Sequence, residues 1–274
     1  MPELPEVETI KNDLTKSIVG KNIAQAEVLE KRSVRNDTDL FVSALKNNQI
    51  LDIERKGKFL FFKLRRKNKY LLAHLRMTGQ LIYAPKRKEA KIEKYSRALI
   101  YFSDGSALIY NDIRAFGFLQ IISEKEEVEI KNKLGIDPLS SDFTLQNFQS
   151  AVSGRKGTLK SILLDQKTIA GIGNIYADEI CFEARVYPGR KSDTLSDREI
   201  RLLHRATLKI LRKSIRHRGT TFSNYVDGYG RKGEFINFLK VYGRGKKKCL
   251  GCSGTVETKK IAGRTTHYCP SCQK

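Results

Sequence analysis

The sequence predicts an α+β, multidomain chain: an N-terminal β-sandwich with a leading helix, then a helical domain, then a small C-terminal cysteine module. Three observations carry this. Apolar residues first recur at helical spacing, then fall into short β-rich runs separated by turn residues. Helical spacing returns through most of the second half. Four of the five cysteines form two CxxC pairs between residues 249 and 272.

Val7, Ile10, Leu14 and Ile18 share one face of a helix, and Pro5 suits its first turn. Pro2 and Glu3 therefore stand just ahead of that helix. KFLFFKL, KYLLAHL, QLIYA, ALIYF, ALIYN and GFLQII read as strands. YFSDGSALIY reads as a hairpin with Asp104-Gly105 at its tip. Residues 1–133 are the expected sandwich domain, and GIDPLSSDFT reads as a hinge after it. Residues 134–238 are the expected helical domain, with TLKSILLDQ and IYADEICFEA joined by KTIAGIGN. A longer helix runs through SDREIRLLHRATLKILRKSIRHRG, with capping-box spacing at Ser196 and Glu199 and a stop at Gly219. Residues 219–234, rich in glycine, read as a mobile loop, and 239–274 as the cysteine module. No internal repeat is visible.

Lys and Arg number 52 against 30 Asp and Glu, a net charge of +22. The basic residues are spread through KRSVR, RKGKF, LRRKNK, APKRKEAK, RHRG and GRGKKK. Such a surface attracts polyanions through counterion release, so nucleic acid is the expected partner. No apolar run approaches the ~18 residues of a membrane span. The start is also not basic-then-apolar, as a signal peptide would be. A soluble, cytoplasmic chain with no membrane partner is expected.

Cys249-Leu-Gly-Cys252 and Cys269-Pro-Ser-Cys272 each offer two thiolates to one ion. A hairpin through TVETKKIAGRTTHYC would bring the pairs together into a tetrahedral site. This spacing is of the zinc-ribbon kind, which favours one structural Zn2+ over an iron–sulfur cluster. Arg264 lies at the hairpin tip, where it could enter a groove. Cys181, among apolar residues of a helix, reads as core.

The opening MPELPEVETI is acidic and proline-studded in a basic chain. Initiator Met is commonly removed before a residue as small as proline, which would leave Pro2 with a free secondary amine. An α-amino group has a pKa near ~8, so much of it is an uncharged nucleophile near neutrality. The start of the following helix depresses that pKa further. Attack on an aldehyde-level carbon gives an iminium, an electron sink for eliminations, and Glu3 beside it could carry protons.

MPELPEVET closely resembles the start of the bacterial formamidopyrimidine-DNA glycosylase family. The resemblance continues in order through RKGKF, HLRMTGQL, NDIRAFG, GIGNIYADEI, VYGR and IAGRTTHYCPSCQK, and so spans nearly the whole chain. It implies a helix–two-turns–helix in the helical domain and a monomer acting on double-stranded DNA with an oxidised purine or abasic site. It also implies a DNA repair enzyme with both glycosylase and lyase activity, bacterial, cytoplasmic and nucleoid-associated.

By this resemblance Pro2 is the Schiff-base nucleophile, Glu3 the proton donor and acceptor, and Glu6 a support for that pair. Lys58 is implied as the proton donor in β-elimination, and Arg264 as a phosphate grip that serves δ-elimination. An enzyme that everts a base must fill the hole it leaves. Met77, Arg114 and Phe116 match the family's three void-filling residues. His74 and Asn174 are implied as phosphate ligands, Asn174 also as a helix cap, and Arg155 and Lys160 as lining the same DNA face. The glycine-rich 219–234 loop would cap the everted base. One departure is visible: relatives carry a histidine-containing stretch where KYSRALIYF begins, so Tyr95 stands in its place as a DNA contact. Two other readings stay open: an endonuclease VIII-like enzyme for oxidised pyrimidines, and a non-catalytic zinc-ribbon DNA-binding protein.

Overall fold

The computed structural model describes residues 1–66 and 68–274. It divides into two compact units: Met1–Asn132 with His217–Glu234, and Lys133–Arg216 with Phe235–Lys274. The glycine-rich segment that the sequence placed in the helical domain thus packs with the N-terminal residues.

In the first unit, α1 (Leu4–Ile18) is followed by β1 (Ile23–Val28), α2 (Thr38–Leu45), β2 (Ile50–Lys56), β3 (Phe59–Leu64) and β4 (Lys69–His74). Then come β5 (Gly79–Ala84), β6 (Ser96–Phe102), β7 (Ala107–Asp112), β8 (Phe118–Ser123) and α3 (Glu124–Asn132). Two four-stranded antiparallel sheets form, ordered β1-β6-β7-β5 and β2-β3-β4-β8. Alternation along each strand sends Leu60, Phe62 and Leu64 of β3, and Ala98, Ile100 and Phe102 of β6, into one core. Val7, Ile10, Leu14 and Ile18 of α1 enter that same core, all at 1 % exposure or less. This is the expected sandwich with its leading helix. Phe61, Tyr70 and Leu72 face the other way and are covered in part by Ile130 of α3. The β6–β7 hairpin turns at Gly105, whose φ of +82° suits a glycine. Neither α2 nor α3 was legible from residue spacing: each is short, and α3 reads as a run of charge with two apolar residues.

In the second unit, α4 (Leu145–Val152), α5 (Leu159–Leu164), α6 (Asn174–Glu183) and α7 (Asp197–Arg216) pack together, followed by the β9 (Glu257–Ile261) and β10 (Arg264–Tyr268) hairpin. Buried on nearly every side, α6 includes Cys181, which is fully enclosed. Ser196 and Glu199 make the expected capping box at the start of α7. Its helical turns end at Arg216; Arg218 and then Gly219 take left-handed backbone after it. Among the described residues no helix is long and apolar enough to cross a membrane.

Candidate active site and nucleic-acid interface

Pro2 is buried at the entrance of α1, and Glu3 is 2 % exposed. Glu6, one turn on and equally buried, accepts hydrogen bonds from Glu3 N at 2.8 Å and Thr220 N at 2.7 Å. The expected support role for Glu6 therefore has a geometry: it ties the start of α1 to the glycine-rich segment. That segment carries bonds of its own. Gly233 N donates to Thr221 Oγ1, which donates to Tyr225 O, and Tyr225 Oη donates to Arg218 O. Gly219 must stay small, because a Cβ there would stand 2.8 Å from Glu6 Oε1.

Lys58 follows Gly57 in the β2–β3 turn, half-buried, one residue before β3 begins. Its charge reaches His74, at the end of β4. Burial pushes the His74 imidazole down to about 3, and the cations Arg76, Lys58 and Arg35 push in the same direction. The ring is therefore neutral, edge-on to Phe59 and stacked on Phe118, with Nδ1 accepting from Arg76 N at 3.2 Å. Such a histidine meets a phosphate as a hydrogen-bond donor through Nε2, not as a cation. Arg35 and Arg76 complete a cationic cluster here that motif reading did not single out. The signal was Arg76 inside HLRMTG.

Met77 and Phe116 are exposed at 40 % and 55 %, unlike core residues of their kind, and the Arg114 guanidinium lies 4.5 Å from the Phe116 ring centre. One fully buried carboxylate shapes both loops that present them. Asp112 Oδ1 accepts from Thr78 Oγ1 and Arg114 N, and Oδ2 accepts from Gly117 N. Thr78 Oγ1 in turn accepts from Arg114 N. A Cβ at Gly117 would stand 2.4 Å from Tyr110 Oη, so only glycine passes. Thr78 and Asp112 were missed because nothing in spacing marks a positioning residue. Tyr95 is half-buried and lines a cavity of about 440 Å³ with Gln80, Tyr83, Asn111 and Tyr229.

In the second unit, Gln166 clamps the turn between α5 and α6 by bonding Gly171 N and Ile172 O. Gly173 is the residue that caps α6. Asn174 is the first helical residue instead, a correction to its expected capping role. Its Nδ2 donates to Thr265 O at 3.0 Å, and its buried Oδ1 has no partner. Arg155 is exposed and folds back on Ala151 O. Lys160 does not line a face for DNA. It is fully buried, 2.5 Å from Asp178 Oδ1 and 2.8 Å from Thr266 Oγ1. A lysine with no access to solvent and a carboxylate partner is held as a strut, and this overturns the sequence expectation. Asp178 Oδ2 also accepts from His267 N, so the pair fixes β10 to α6. Arg264 stands exposed just beyond the Ala262-Gly263 turn of this hairpin.

Cys249, Cys252, Cys269 and Cys272 bring their four sulfurs within 4.8 Å of one another. The separations of 3.5 Å (Cys252–Cys269) and 3.8 Å (Cys249–Cys272) match a tetrahedron with Zn–S bonds of ~2.3 Å. Gly251 N and Gly254 N point at Cys249 and Cys252 Sγ from 3.3 Å, which stabilises thiolates. The donor set fits one structural zinc ion closed to further ligands.

Three family models match in order: the formamidopyrimidine-DNA glycosylase N-terminal domain over residues 1–119, its H2TH domain over 134–226, and a zinc finger found in FPG and IleRS over 246–274. The chain belongs to the formamidopyrimidine-DNA glycosylase family. Relatives of that name in Heliobacterium modesticaldum and Listeria monocytogenes are 43 % and 40 % identical, each aligned over 100 % of both chains. Lactococcus lactis FPG, 35 % identical, has been solved with DNA containing an abasic site at a TM-score of 0.91, covering 99 % of both chains. The same L. lactis protein has been solved with oxidised-pyrimidine DNA, at a TM-score of 0.90 and 100 % coverage of both chains. A variant of it has been solved with Fapy-dG DNA, at a TM-score of 0.91 and full coverage. Membership of the formamidopyrimidine-DNA glycosylase family thus rests on sequence and fold together.

Proposed function

We propose that the chain is a bifunctional DNA glycosylase and abasic-site lyase of base-excision repair, which removes 8-oxoguanine and formamidopyrimidines from duplex DNA. The observation that carries this reading is the start of α1, where Glu3, next to buried Pro2, is tied by Glu6 to the segment that would cover an everted base.

With Met1 removed, the Pro2 nitrogen is a secondary amine at a helix N-terminus, where partial positive charge disfavours its ammonium form. Its lone pair attacks C1′, the bond from C1′ to the base breaks, and the base leaves as an anion that takes a proton from water. The proton lost by the new ammonium passes to O4′ as the C1′–O4′ bond opens, leaving an iminium. Glu3 is the carrier within reach. Loss of a C2′ proton then expels the 3′ phosphate, and loss of the C4′ proton expels the 5′ phosphate. Lys58 serves the first departure and Arg264 the second. Met77 and Phe116 wedge into the stack, Arg114 meets the orphaned partner, and His74, Tyr95, Arg155 and Asn174 hold the backbone. The zinc ion holds the hairpin that carries Arg264. On this reading the working parts are residues 1–133, 134–238 and 239–274 of a monomer acting in the bacterial cytoplasm at the nucleoid, with 217–234 packed on the first part.

Borohydride trapping on duplexes with 8-oxoguanine tests the reading. A covalent adduct is expected from protein whose mass shows Met1 removed, and acetylation of the terminal nitrogen should abolish it. An adduct that survives acetylation refutes the nucleophile assignment. The L. lactis complex with oxidised-pyrimidine DNA favours testing a second lesion class. Incision of matched duplexes carrying 8-oxoguanine or an oxidised thymine gives the ranking, and faster pyrimidine excision reverses our preference.

A further inference from the structure

Two turns along α1 from Glu6, on the same face, Asp13 is 5 % exposed although it carries a charge. Its Oδ2 is 2.5 Å from Arg218 Nη2 and 3.1 Å from Gly228 N. Arg218 spans to a second buried carboxylate, Asp227, through Nε at 2.6 Å. Asp227 also accepts from the backbone N–H groups of Tyr229 and Arg231, and so closes the turn at 227–231. Gly228 O accepts from Tyr83 N of β5. A Cβ at Gly228 would stand 2.7 Å from Asp13 Cβ, so the backbone lies directly on the helix. Tyr229 Oη adds a bond to Ser17 Oγ at 3.0 Å.

Helix α1 therefore grips the segment at two points: at its start, where Glu6 holds Thr220 and Asp13 holds Arg218, and at its middle, where Asp13 holds Gly228. The residues between, 221–227, bridge two fixed points on the helix whose start carries Pro2. We infer that Asp13 and Arg218 are positioning residues for base excision, setting the register of the covering segment against the N-terminal nucleophile. This rests on the reading that residues 219–234 cap the everted base. An abasic site has no base to cover, so the two activities separate. Misplacing a positioning element by about 1 Å costs on the order of a hundredfold in rate. Loosening the Asp13 grip on Arg218 and Gly228 should cost a sizeable part of that in excision alone.

The experiment compares Asp13→Asn, Arg218→Lys and Tyr229→Phe with the unaltered protein. Each is assayed on an 8-oxoguanine duplex and on a duplex with a preformed abasic site. Asp13→Asn and Arg218→Lys should lower single-turnover base excision about tenfold or more, with strand cleavage and borohydride adducts at the abasic site within about twofold. Tyr229→Phe, which removes only a half-exposed hydroxyl, keeps the test valid if a charge variant folds poorly, and should show a smaller loss in excision alone. Equal losses in both activities, or no loss in excision in any variant, overturn the inference. Failure of the proposed glycosylase and lyase function looks different: the unaltered protein would then neither excise 8-oxoguanine nor form an adduct at the abasic site.

Discussion

Glu6, 214 residues before Thr220 in the chain, accepts from Thr220 N with one carboxylate oxygen and from Glu3 N with the other. Both oxygens are buried, so each lost bond strands an N–H. Glu6→Gln keeps one oxygen and turns an NH2 group toward the other donor. Leaving one buried N–H unsatisfied costs about 1–3 kcal/mol. A lowered melting temperature is expected, with base excision and abasic-site cleavage falling together because Glu3 itself is released. Calorimetry and the two cleavage assays check this. A variant that melts with the parent and keeps both rates removes Glu6 from the site.

His74 predicts a pH dependence of defined sign. Burial holds its folded pKa to about 3, well below the ordinary value of ~6.5 for the unfolded chain. The unfolded state thus binds a proton that the folded state refuses. The stability from neutral His74 is complete above about pH 6.5 and is lost progressively as pH falls toward 3. Urea denaturation at a series of pH values should show that decline, and His74→Asn, which keeps an acceptor near the Nδ1 position, should flatten it. Proton NMR gives the direct check: a His74 ring resonance that titrates between pH 6 and 7 contradicts the assignment.

Legibility in the sequence followed the range of the interactions. The α1 stripe, the Asp104-Gly105 turn, the Ser196 capping box and the paired cysteines are local patterns, and each matches the structure. What Glu6, Asp13 and Asp112 do depends on partners fixed by tertiary packing, and no spacing rule encodes that. Lys160 shows the same limit from the other side. In a chain of net charge +22, a lysine near basic neighbours reads as surface, and only the fold reveals Asp178 beside it. Asn174 failed by one residue, because Gly173 supplies the extended backbone that a cap needs.

The Lys160–Asp178 pair predicts a large and asymmetric mutational response. Removing one partner of a buried pair strands the other charge and typically costs about 3–5 kcal/mol. Lys160→Met should therefore destabilise the second unit strongly. Lys160→Met with Asp178→Asn should recover part of the loss, since no bare carboxylate remains. The same single variant should weaken DNA binding through β10, whose His267 N is held by Asp178. Denaturation of the single and double variants measures the coupling. Additive losses would mean the two charges do not act as a pair.

Zinc removal should have a bounded effect. Around the four cysteines the packed side chains are few, chiefly Val241, Val256 and Phe182. A module this small cannot hold its fold by burial alone, because segments below about 40 residues generally need a metal or disulfides. Metal analysis should return one zinc per chain. Chelation, or Cys252→Ser, should open residues 246–274 to protease while the sandwich unit stays resistant, since α1 and both sheets share a separate core. Abasic-site binding should fall with loss of the hairpin that presents Arg264. Metal-free protein that resists protease across 246–274 and binds DNA as before would show that the thiols hold this hairpin without an ion.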